Sequence, residues 1–295
     1  MRRVMSRFTT NRLAGVATGV VATTLLESSS VTIIMVIAMV SGGILTFTQA
    51  LGVVLGANIG TTIGAQIIAF KIGHYIPLLM FAGLLLHFIA KSSTVKRLGL
   101  VVLGFGLMIY GLEAIDDAMK PLRDHEPFLR SMRTLGENAW LGAALGCVVT
   151  LVIQSSSATV AIVITLASSG LISLPAGVAI MLGAEIGTCS DALIANIGRG
   201  RPALRTGVFH LAFNLVSALL GVTLPHGLVK LVQSVSGDVS IGRQIANAQI
   251  IFNLIGVAVV LPMLPAVARL LTRLIPDREE QAVSPAGIAP QPASR

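Results

Sequence analysis

The segment TTLLESSSVT, residues 23–32, places three consecutive serines in the middle of a long apolar stretch. From Leu13 to Phe70 the only charged residue is Glu27, directly before the serines. Each apolar half around them has about 14 residues, roughly 21 Å as a helix, which is too short to cross a hydrocarbon core of about 30 Å. The pattern therefore predicts a re-entrant helical hairpin over residues 13–45, with the serines at its tip.

The same pattern occurs a second time, 127 residues later. Gly15–Ala65 aligns with Gly142–Ala192 without a gap, and 20 of the 51 positions are identical. Shared apolar composition would not also align the polar positions, yet Glu27-Ser28-Ser29-Ser30 falls on Gln154-Ser155-Ser156-Ser157. The sequence therefore predicts an internal repeat with a second hairpin over residues 139–172.

A glycine-rich segment follows each hairpin, GANIGTT at 56–62 and GAEIGT at 183–188. Their paired glycines predict an unwound break in a spanning helix, which gives broken spans at 48–70 and 175–198. Four further spans are predicted at Tyr75–Ala90, Leu98–Ile115, Thr206–Leu224 and Ile241–Ala266. The resulting division of the chain is a basic N-terminus (1–12), repeat 1 (13–115), a charged extracytoplasmic loop (116–138), repeat 2 (139–266) and a disordered cytoplasmic tail (267–295).

The composition supports an all-α integral membrane protein and excludes a soluble domain. Of the 295 residues, 54% are hydrophobic and 12% charged, and the mean hydropathy is +0.86, whereas about 25% of an average soluble domain is charged. The net charge of +8 does not indicate nucleic-acid binding, because the basic residues lie between apolar segments rather than on one face. Cys147 and Cys189 form no CxxC pair, so no structural metal is predicted.

The basic residues predict the topology. If each hairpin returns to its own side, 14 of the 21 basic residues share one face, which is then cytoplasmic and holds both termini. These residues are Arg2, Arg3, Arg7, Arg12, Lys91, Lys96, Arg97, Arg199, Arg201, Arg205, Arg269, Arg273, Arg278 and Arg295. The hairpins then enter from opposite faces as inverted repeats, an arrangement typical of secondary transporters with a midplane site. The counterpart of Leu98–Ile115 would lie before Met1, so that helix is either dispensed with or precedes the chain as given.

The hairpin tips have the chemistry of an anion site. A helix that begins at such a tip presents free backbone N–H groups and the positive end of its dipole, and serine hydroxyls add donors. For a single Ser-Ser-Ser, a helix cap or a close helix contact is the favoured interpretation. Two copies at equivalent tips favour binding instead, and no Lys or Arg lies within the apolar core of these segments.

Carboxylates in these segments indicate an ion-coupling site. Glu27 aligns with Gln154, and Asn58 aligns with Glu185, so each repeat has one carboxylate and one amide at these positions. Intramembrane carboxylates usually mark ion sites or proton relays, and oxygen ligands suit Na⁺. The candidate sodium or proton residues are Glu27, Asn58, Thr61, Glu185, Thr188 and Asp191. A purely structural position beside a water-filled cavity remains the alternative for Glu185 and Asp191.

Two late spans carry a weaker polar pattern. His210 and Asn214 are spaced by four residues, as are Gln249 and Asn253, and a phenylalanine precedes each asparagine. Amides inside membrane helices most often form interhelical hydrogen bonds. We therefore predict a structural role for these four residues.

The paired serine motifs, each followed by a GAN-type segment, resemble the type II sodium/phosphate cotransporter family over about Asn11–Met263. The resemblance implies that both QSSS-type segments form the phosphate site, here Ser28, Ser29, Ser30, Gln154, Ser155, Ser156 and Ser157. Glu27 and Glu185 depart from the family pattern, which has Gln and Asn at these positions. The C-terminal PhoU-like helical domain of many bacterial relatives has no counterpart in these 295 residues.

The sequence thus predicts sodium-coupled transport of inorganic phosphate across the cytoplasmic (inner) membrane by alternating access, with Na⁺ as coupling ion and no cofactor. No nucleophile, base and orienting group occur in a recognisable set, so the chain is not predicted to be an enzyme. A proton-coupled phosphate exporter, a transporter of another solute, and an anion channel or membrane scaffold are the alternatives. Transport direction, ion stoichiometry and homo-oligomer formation stay open.

Overall fold

The computed structural model describes residues 9, 11–70 and 75–277, and within them every regular element is helical. The prediction of an all-α protein is confirmed. The helices up to the second hairpin are α1 (Arg12–Leu26), α2 (Ser29–Ser41), α3 (Phe47–Ala69), α4 (Ile76–Ile89), α5 (Ser93–Met119), a 3-10 helix (Lys120–Asp124) and α6 (Glu126–Glu137). The remaining helices are α7 (Ala139–Ile153), α8 (Ser156–Ser168), α9 (Leu174–Gly187), α10 (Cys189–Ala195), α11 (Arg201–Thr223), α12 (Pro225–Ser236) and α13 (Ile241–Leu274).

Five helical segments in the described part of the chain are long and apolar enough to cross a membrane. They are Phe47–Ala69, Ser93–Asp124, Leu174–Ala195, Arg201–Thr223 and Ile241–Leu274. The chain is therefore a multi-pass membrane protein. Helix α4 has only 14 residues, about 21 Å, so it is shorter than the span predicted for Tyr75–Ala90.

Both predicted helical hairpins are present, with their turns at the predicted tips. Glu27 and Gln154 end the first arms in the left-handed region, at φ 50° and 58°, and are the only non-glycine residues with positive φ in the described ranges. This conformation is costly for a side chain with a Cβ atom, yet it reverses the chain at equivalent positions in both repeats. Insertion of the hairpins from opposite membrane faces stays a prediction.

The two repeats also share their internal contacts. Thr23 and Thr32 join the arms of the first hairpin by a buried hydroxyl hydrogen bond of 2.9 Å, and Thr150 and Thr159 do so in the second at 2.9 Å. Each pair is offset from the other by the same 127 residues that align the sequences. The repeat is therefore a structural duplication as well as a sequence pattern.

The predicted break in the first glycine-rich segment is wrong, because α3 is continuous from Phe47 to Ala69. The glycines instead allow two helices to touch. A Cβ atom on Gly56 would lie 2.0 Å from the carbonyl oxygen of Val16 in α1, and one on Gly183 would lie 1.8 Å from that of Ala143 in α7. In the second repeat the helix is interrupted, briefly, at Thr188 between α9 and α10.

The charged loop predicted at 116–138 is largely helical. The loop at 116–138 contains the end of α5, the 3-10 helix and α6, where the Phe128 N–H donates to His125 Nδ1 at 3.3 Å and caps the helix.

The first part of the tail predicted from residue 267 is helical instead, because α13 continues to Leu274 and buries Ala268 and Leu271. Residues 278–295 of the predicted tail, and most of the predicted N-terminus, lie outside the described residues.

Candidate functional site at the hairpin tips

The two hairpin tips border one cavity of about 840 Å³. Glu27 reaches it from the first tip, and Ser155 and Ser157 reach it from the second. Most of the remaining wall is apolar and comes from α5, including Phe105 and Met108. The structure thus brings together three residues that the sequence placed in the transport site.

The three serines of each motif have different environments. The first serine caps its helix: Ser28 Oγ accepts from the Val31 N–H and Ser155 Oγ from the Ala158 N–H, both at 3.2 Å. Each capping hydroxyl still has its own hydrogen to donate. Ser155, which lines the cavity, is therefore a structural cap that can still donate to a ligand, whereas Ser28 is a cap that does not line the cavity.

The second serines of the two motifs have similar environments, whereas the third serines differ. Ser29 and Ser156 are buried and do not line the cavity. Ser30 donates to Asp191 Oδ2 at 2.5 Å, while its counterpart Ser157 faces the cavity. Gln154 is exposed at the turn and is not part of the cavity wall. Of the seven predicted phosphate residues, the structure brings only Ser155 and Ser157 to the cavity.

Each repeat contributes one carboxylate near a hairpin tip, but the two carboxylates are not at equivalent positions. In the second repeat the carboxylate is Asp191 on α10, which binds Ser30 of the first tip. Its counterpart in α3 is Gly64, and a Cβ atom there would lie 2.7 Å from Glu27 Oε2. Gly64 therefore leaves the room that the Glu27 side chain occupies.

The cavity lacks a positively charged side chain. None of its described lining residues is Lys or Arg, and Glu27 is its only charged one. An anion bound there would rely on serine hydroxyls and the N-terminal end of α8, and it would be repelled by an ionised Glu27. A cation close to Glu27 would remove that repulsion.

Two predicted coupling residues bond within their own helix instead. Asn58 Nδ2 donates to the Val54 carbonyl at 2.9 Å, and Thr61 Oγ1 donates to that of Ala57 at 3.1 Å. Both are buried and neither lines the cavity. Thr188 is likewise buried, at the interruption between α9 and α10.

Glu185 lies away from the cavity and has a partner that sequence reasoning did not assign to it. Gln249 Nε2 of α13 donates to Glu185 Oε1 at 2.8 Å, and both side chains are buried. Gln249 thus makes the predicted kind of interhelical hydrogen bond, whereas Asn214 Nδ2 and Asn253 Nδ2 each donate to the carbonyl four residues earlier in their own helix, at 3.0 Å. The available signal was the four-residue spacing of polar side chains on α11 and α13, but that spacing does not identify the carboxylate they meet.

Comparison with known proteins gives a consistent result. The family described as Na⁺/Pi-cotransporter matches residues 1–117 and 124–262. The uncharacterised protein YqeW of Bacillus subtilis is 29% identical over 271 residues, which cover 92% of this chain and 87% of YqeW. No solved structure matches.

Two relatives have names that refer to phosphate. YjbB of Salmonella typhimurium, provisionally named an inorganic phosphate export protein, is 29% identical over 95% of this chain, which spans about half (51%) of YjbB. The human sodium-dependent phosphate transport protein 2B is 42% identical over 64 residues, which cover 22% of this chain and 9% of that protein.

Proposed function

This chain belongs to the Na⁺/Pi-cotransporter family, and we propose that it carries inorganic phosphate across the cytoplasmic membrane together with Na⁺. The observation that carries this proposal is the meeting of both QSSS-type tips at one cavity. The family is a class of transporters rather than enzymes. The name of YjbB favours export and that of the human relative favours sodium dependence, so direction and coupling are the points to test.

The proposed phosphate site uses neutral donors. Ser155 and Ser157 donate hydroxyl hydrogens, and the N-terminal end of α8 supplies a favourable dipole. A sodium ion near Glu27 would balance the carboxylate and attract the phosphate, so binding of the two ions would be cooperative. Coupling to Na⁺ follows from such an arrangement, because phosphate alone would meet an unbalanced negative charge.

We further propose inverted repeats with both termini in the cytoplasm. Arg205 binds the Ile275 carbonyl at 2.7 Å and Asp277 at 2.9 Å, and Arg12 contacts the Pro262 carbonyl at 3.4 Å. The Arg205 contacts support the grouping of the basic segment at Arg199–Arg205 with the end of α13, where Arg269 and Arg273 lie. They do so independently of the charge count from which the topology was predicted.

The topology has a direct test. A reporter fused after Arg273 and a cysteine label between Lys91 and Arg97 should both report the cytoplasm, because the basic segments stay inside. A label in α6 should react from the outside. An external C-terminus would contradict the proposed arrangement.

Transport itself is tested with the purified chain in proteoliposomes. Phosphate uptake should saturate and should require an inward Na⁺ gradient, with an equal K⁺ gradient as control. Uptake driven by a pH gradient without Na⁺ would support the proton-coupled alternative instead. Flux that neither saturates nor depends on a gradient would indicate a channel.

Glu27→Gln separates the two kinds of coupling. Removing the charge should lower the apparent Na⁺ affinity roughly tenfold or more, while phosphate uptake at saturating Na⁺ survives. Sodium titrations of phosphate uptake measure this, with the exposed Glu137→Gln as control. A flattened pH profile with unchanged sodium dependence would instead make Glu27 a proton carrier. If neither dependence changes, Glu27 has no part in coupling.

A further inference from the structure

The cavity at the hairpin tips, which we call the tip cavity, extends well beyond the hydroxyl groups at its polar end. Its volume is about 840 Å³, and pockets of roughly 300–1,000 Å³ hold drug-sized ligands rather than small ions. Glu27, Ser155 and Ser157 are the only polar side chains among its described lining residues. The rest of the wall is apolar or glycine, so most of the cavity offers no partner to a phosphate ion.

One face of α5 forms the length of this apolar wall. Val101, Phe105, Met108, Leu112 and Ile115 all line the cavity, and their alternate spacing of four and three residues places them on one helix face. From the first to the last of them the face is about 21 Å long, at 1.5 Å per residue. We call the part of the cavity along this face the α5 groove. Its length and apolar wall suit an extended hydrocarbon chain.

The α5 groove exists because α5 packs mainly against α4 rather than against the hairpins. A Cβ atom on Gly99 of α5 would lie 2.6 Å from the backbone nitrogen of His87 in α4, so these two helices form a tight pair. Among the described elements, α5 otherwise packs only against the 3-10 helix that follows it and against α8. Protein side chains therefore do not fill the space between α5 and the hairpin tips.

The α5 groove opens toward the lipid. Three of the residues that line the cavity, Val101, Met108 and Ile67, are 67%, 41% and 37% exposed. The first two belong to Ser93–Asp124, a segment long and apolar enough to cross a membrane. The medium outside such a segment is hydrocarbon, and water does not fill apolar space in which it finds no polar partners. A hydrocarbon chain from the bilayer is the ligand at hand.

A positive charge lies at the head of the same α5 face. Arg97 comes four residues before Val101 and is therefore one turn earlier on that face. It is exposed, its Nη2 donates to Thr94 Oγ1 at 3.5 Å, and it forms no ion pair with a described carboxylate. Arginine binds phosphate oxygens strongly. The face thus presents a phosphate-binding cation followed by an apolar groove, which is the order of groups in a phospholipid.

We propose that a membrane phospholipid occupies the α5 groove, with its phosphate at Arg97 and one acyl chain along α5 toward Ile115. In the proposed topology this lipid belongs to the cytoplasmic leaflet. The chain joins the α4–α5 pair to the hairpins and completes the wall of the tip cavity. Ser155 and Ser157 stay available to inorganic phosphate, because burying their hydroxyls against hydrocarbon is unfavourable. The lipid site is therefore separate from the proposed transport of phosphate.

Fluorescence quenching by brominated lipid tests the site without a transport assay. Trp140 is the only tryptophan, so Trp140→Phe combined with Phe105→Trp leaves one reporter in the groove. The purified full chain would be reconstituted in phosphatidylcholine with a minor fraction of phosphatidylglycerol that is brominated in mid-chain. Leu220→Trp is the reference, because Leu220 is 59% exposed on α11 and does not line the cavity. We expect stronger quenching of the Phe105→Trp protein than of the reference.

Further variants locate the lipid. Gly104 and Gly111 line the groove, and a Cβ atom on either would meet nothing within 4 Å, so a leucine at either position fills the groove without a backbone clash. Gly104→Leu and Gly111→Leu should each remove the excess quenching of the Phe105→Trp protein. Gly227→Leu is the matched control, because a Cβ atom there also meets nothing within 4 Å and Gly227 does not line the cavity. It should leave the excess unchanged.

Arg97→Gln tests the headgroup. Because it removes a charge-assisted hydrogen bond to the lipid phosphate, about tenfold more brominated phosphatidylglycerol should be needed for the same excess quenching. If one of the two leucine variants fails to fold, the other still decides whether the chain lies in the groove.

Several results would overturn the proposal. Quenching of the Phe105→Trp protein that does not exceed the reference would mean that no lipid is held in the groove. An excess that both leucine variants retain would place the acyl chain elsewhere. Quenching by iodide in the aqueous phase instead of by brominated lipid would mean a water-filled cavity. An excess unchanged by Arg97→Gln would contradict the position of the headgroup. None of these readings depends on phosphate uptake, so the lipid site and the proposed function can fail separately.

Discussion

Gly183→Ala is expected to cause the largest loss of stability, about 3 kcal/mol or more. The added Cβ atom would lie 1.8 Å from the Ala143 carbonyl oxygen and 2.6 Å from its carbonyl carbon. Both are backbone atoms of α7, which cannot rotate away as a side chain would, so the two helices must separate and lose the buried contacts around them.

The measurement is the Tm of the purified variant together with its abundance in the membrane. Gly227→Ala is the control, because a Cβ atom at that helical glycine would meet nothing within 4 Å and alanine is the better helix former. Its stability should be unchanged or slightly higher. A Gly183→Ala protein that melts like the control would contradict the close approach of α7 and α9.

Ser157→Ala is expected to have the largest effect on substrate binding. It removes a hydroxyl donor that faces the tip cavity, and a hydrogen bond to a charged group contributes about 1.5–3 kcal/mol, or roughly 10-fold to 150-fold in affinity. Ser155, whose Oγ accepts from the Ala158 N–H, caps the N-terminal end of α8. Helix α8 should therefore form normally without the Ser157 hydroxyl.

Phosphate affinity is read from the concentration dependence of uptake, with protein abundance measured in parallel. Ser234→Ala serves as the control, because the Ser234 hydroxyl donates to the Leu231 carbonyl of its own helix at 2.8 Å, far in sequence from the tips. It should transport like the wild type. Equal phosphate affinity in Ser157→Ala and the wild type would mean that the second tip has only a structural role.

The sequence was sufficient to predict the hairpins, because their signal is local. A polar tip divides an apolar run at a length that fits two short helices, and the second copy removes the ambiguity of the first. The left-handed residues Glu27 and Gln154, which start each turn, directly precede the serines in both copies. The positions of the tips and the all-helical architecture were therefore predictable.

The unbroken helix α3 was not predictable, because a glycine pair has two physical uses. It can relax the backbone, or it can let another backbone come close, and only the register of the neighbouring helix distinguishes them. Gly56 lies against Val16 because α1 packs along α3, a fact of tertiary structure.

The partners of the carboxylates were hidden for a similar reason. Ser30 and Asp191 are separated by 161 residues, and Glu185 and Gln249 by 64. No sequence period links positions so far apart. The residue types could be selected from one sequence, but the separation of Glu27 at the tip cavity from Glu185 at its contact with Gln249 required the packing of the helices.

The glycine contacts also restrict how the protein can move. A Cβ atom on Gly19 would lie 2.1 Å from the Val53 carbonyl oxygen, and one on Gly146 would lie 1.9 Å from that of Ile180, in addition to the contacts of Gly56 and Gly183. If one helix of either pair slid along the other by one residue, a side chain would take the place of a glycine. The neighbouring backbone leaves no room there for a Cβ atom. The pairs α1 with α3 and α7 with α9 must therefore travel as rigid bodies. Any exchange between inward-facing and outward-facing states has to pivot at the joints between these bodies.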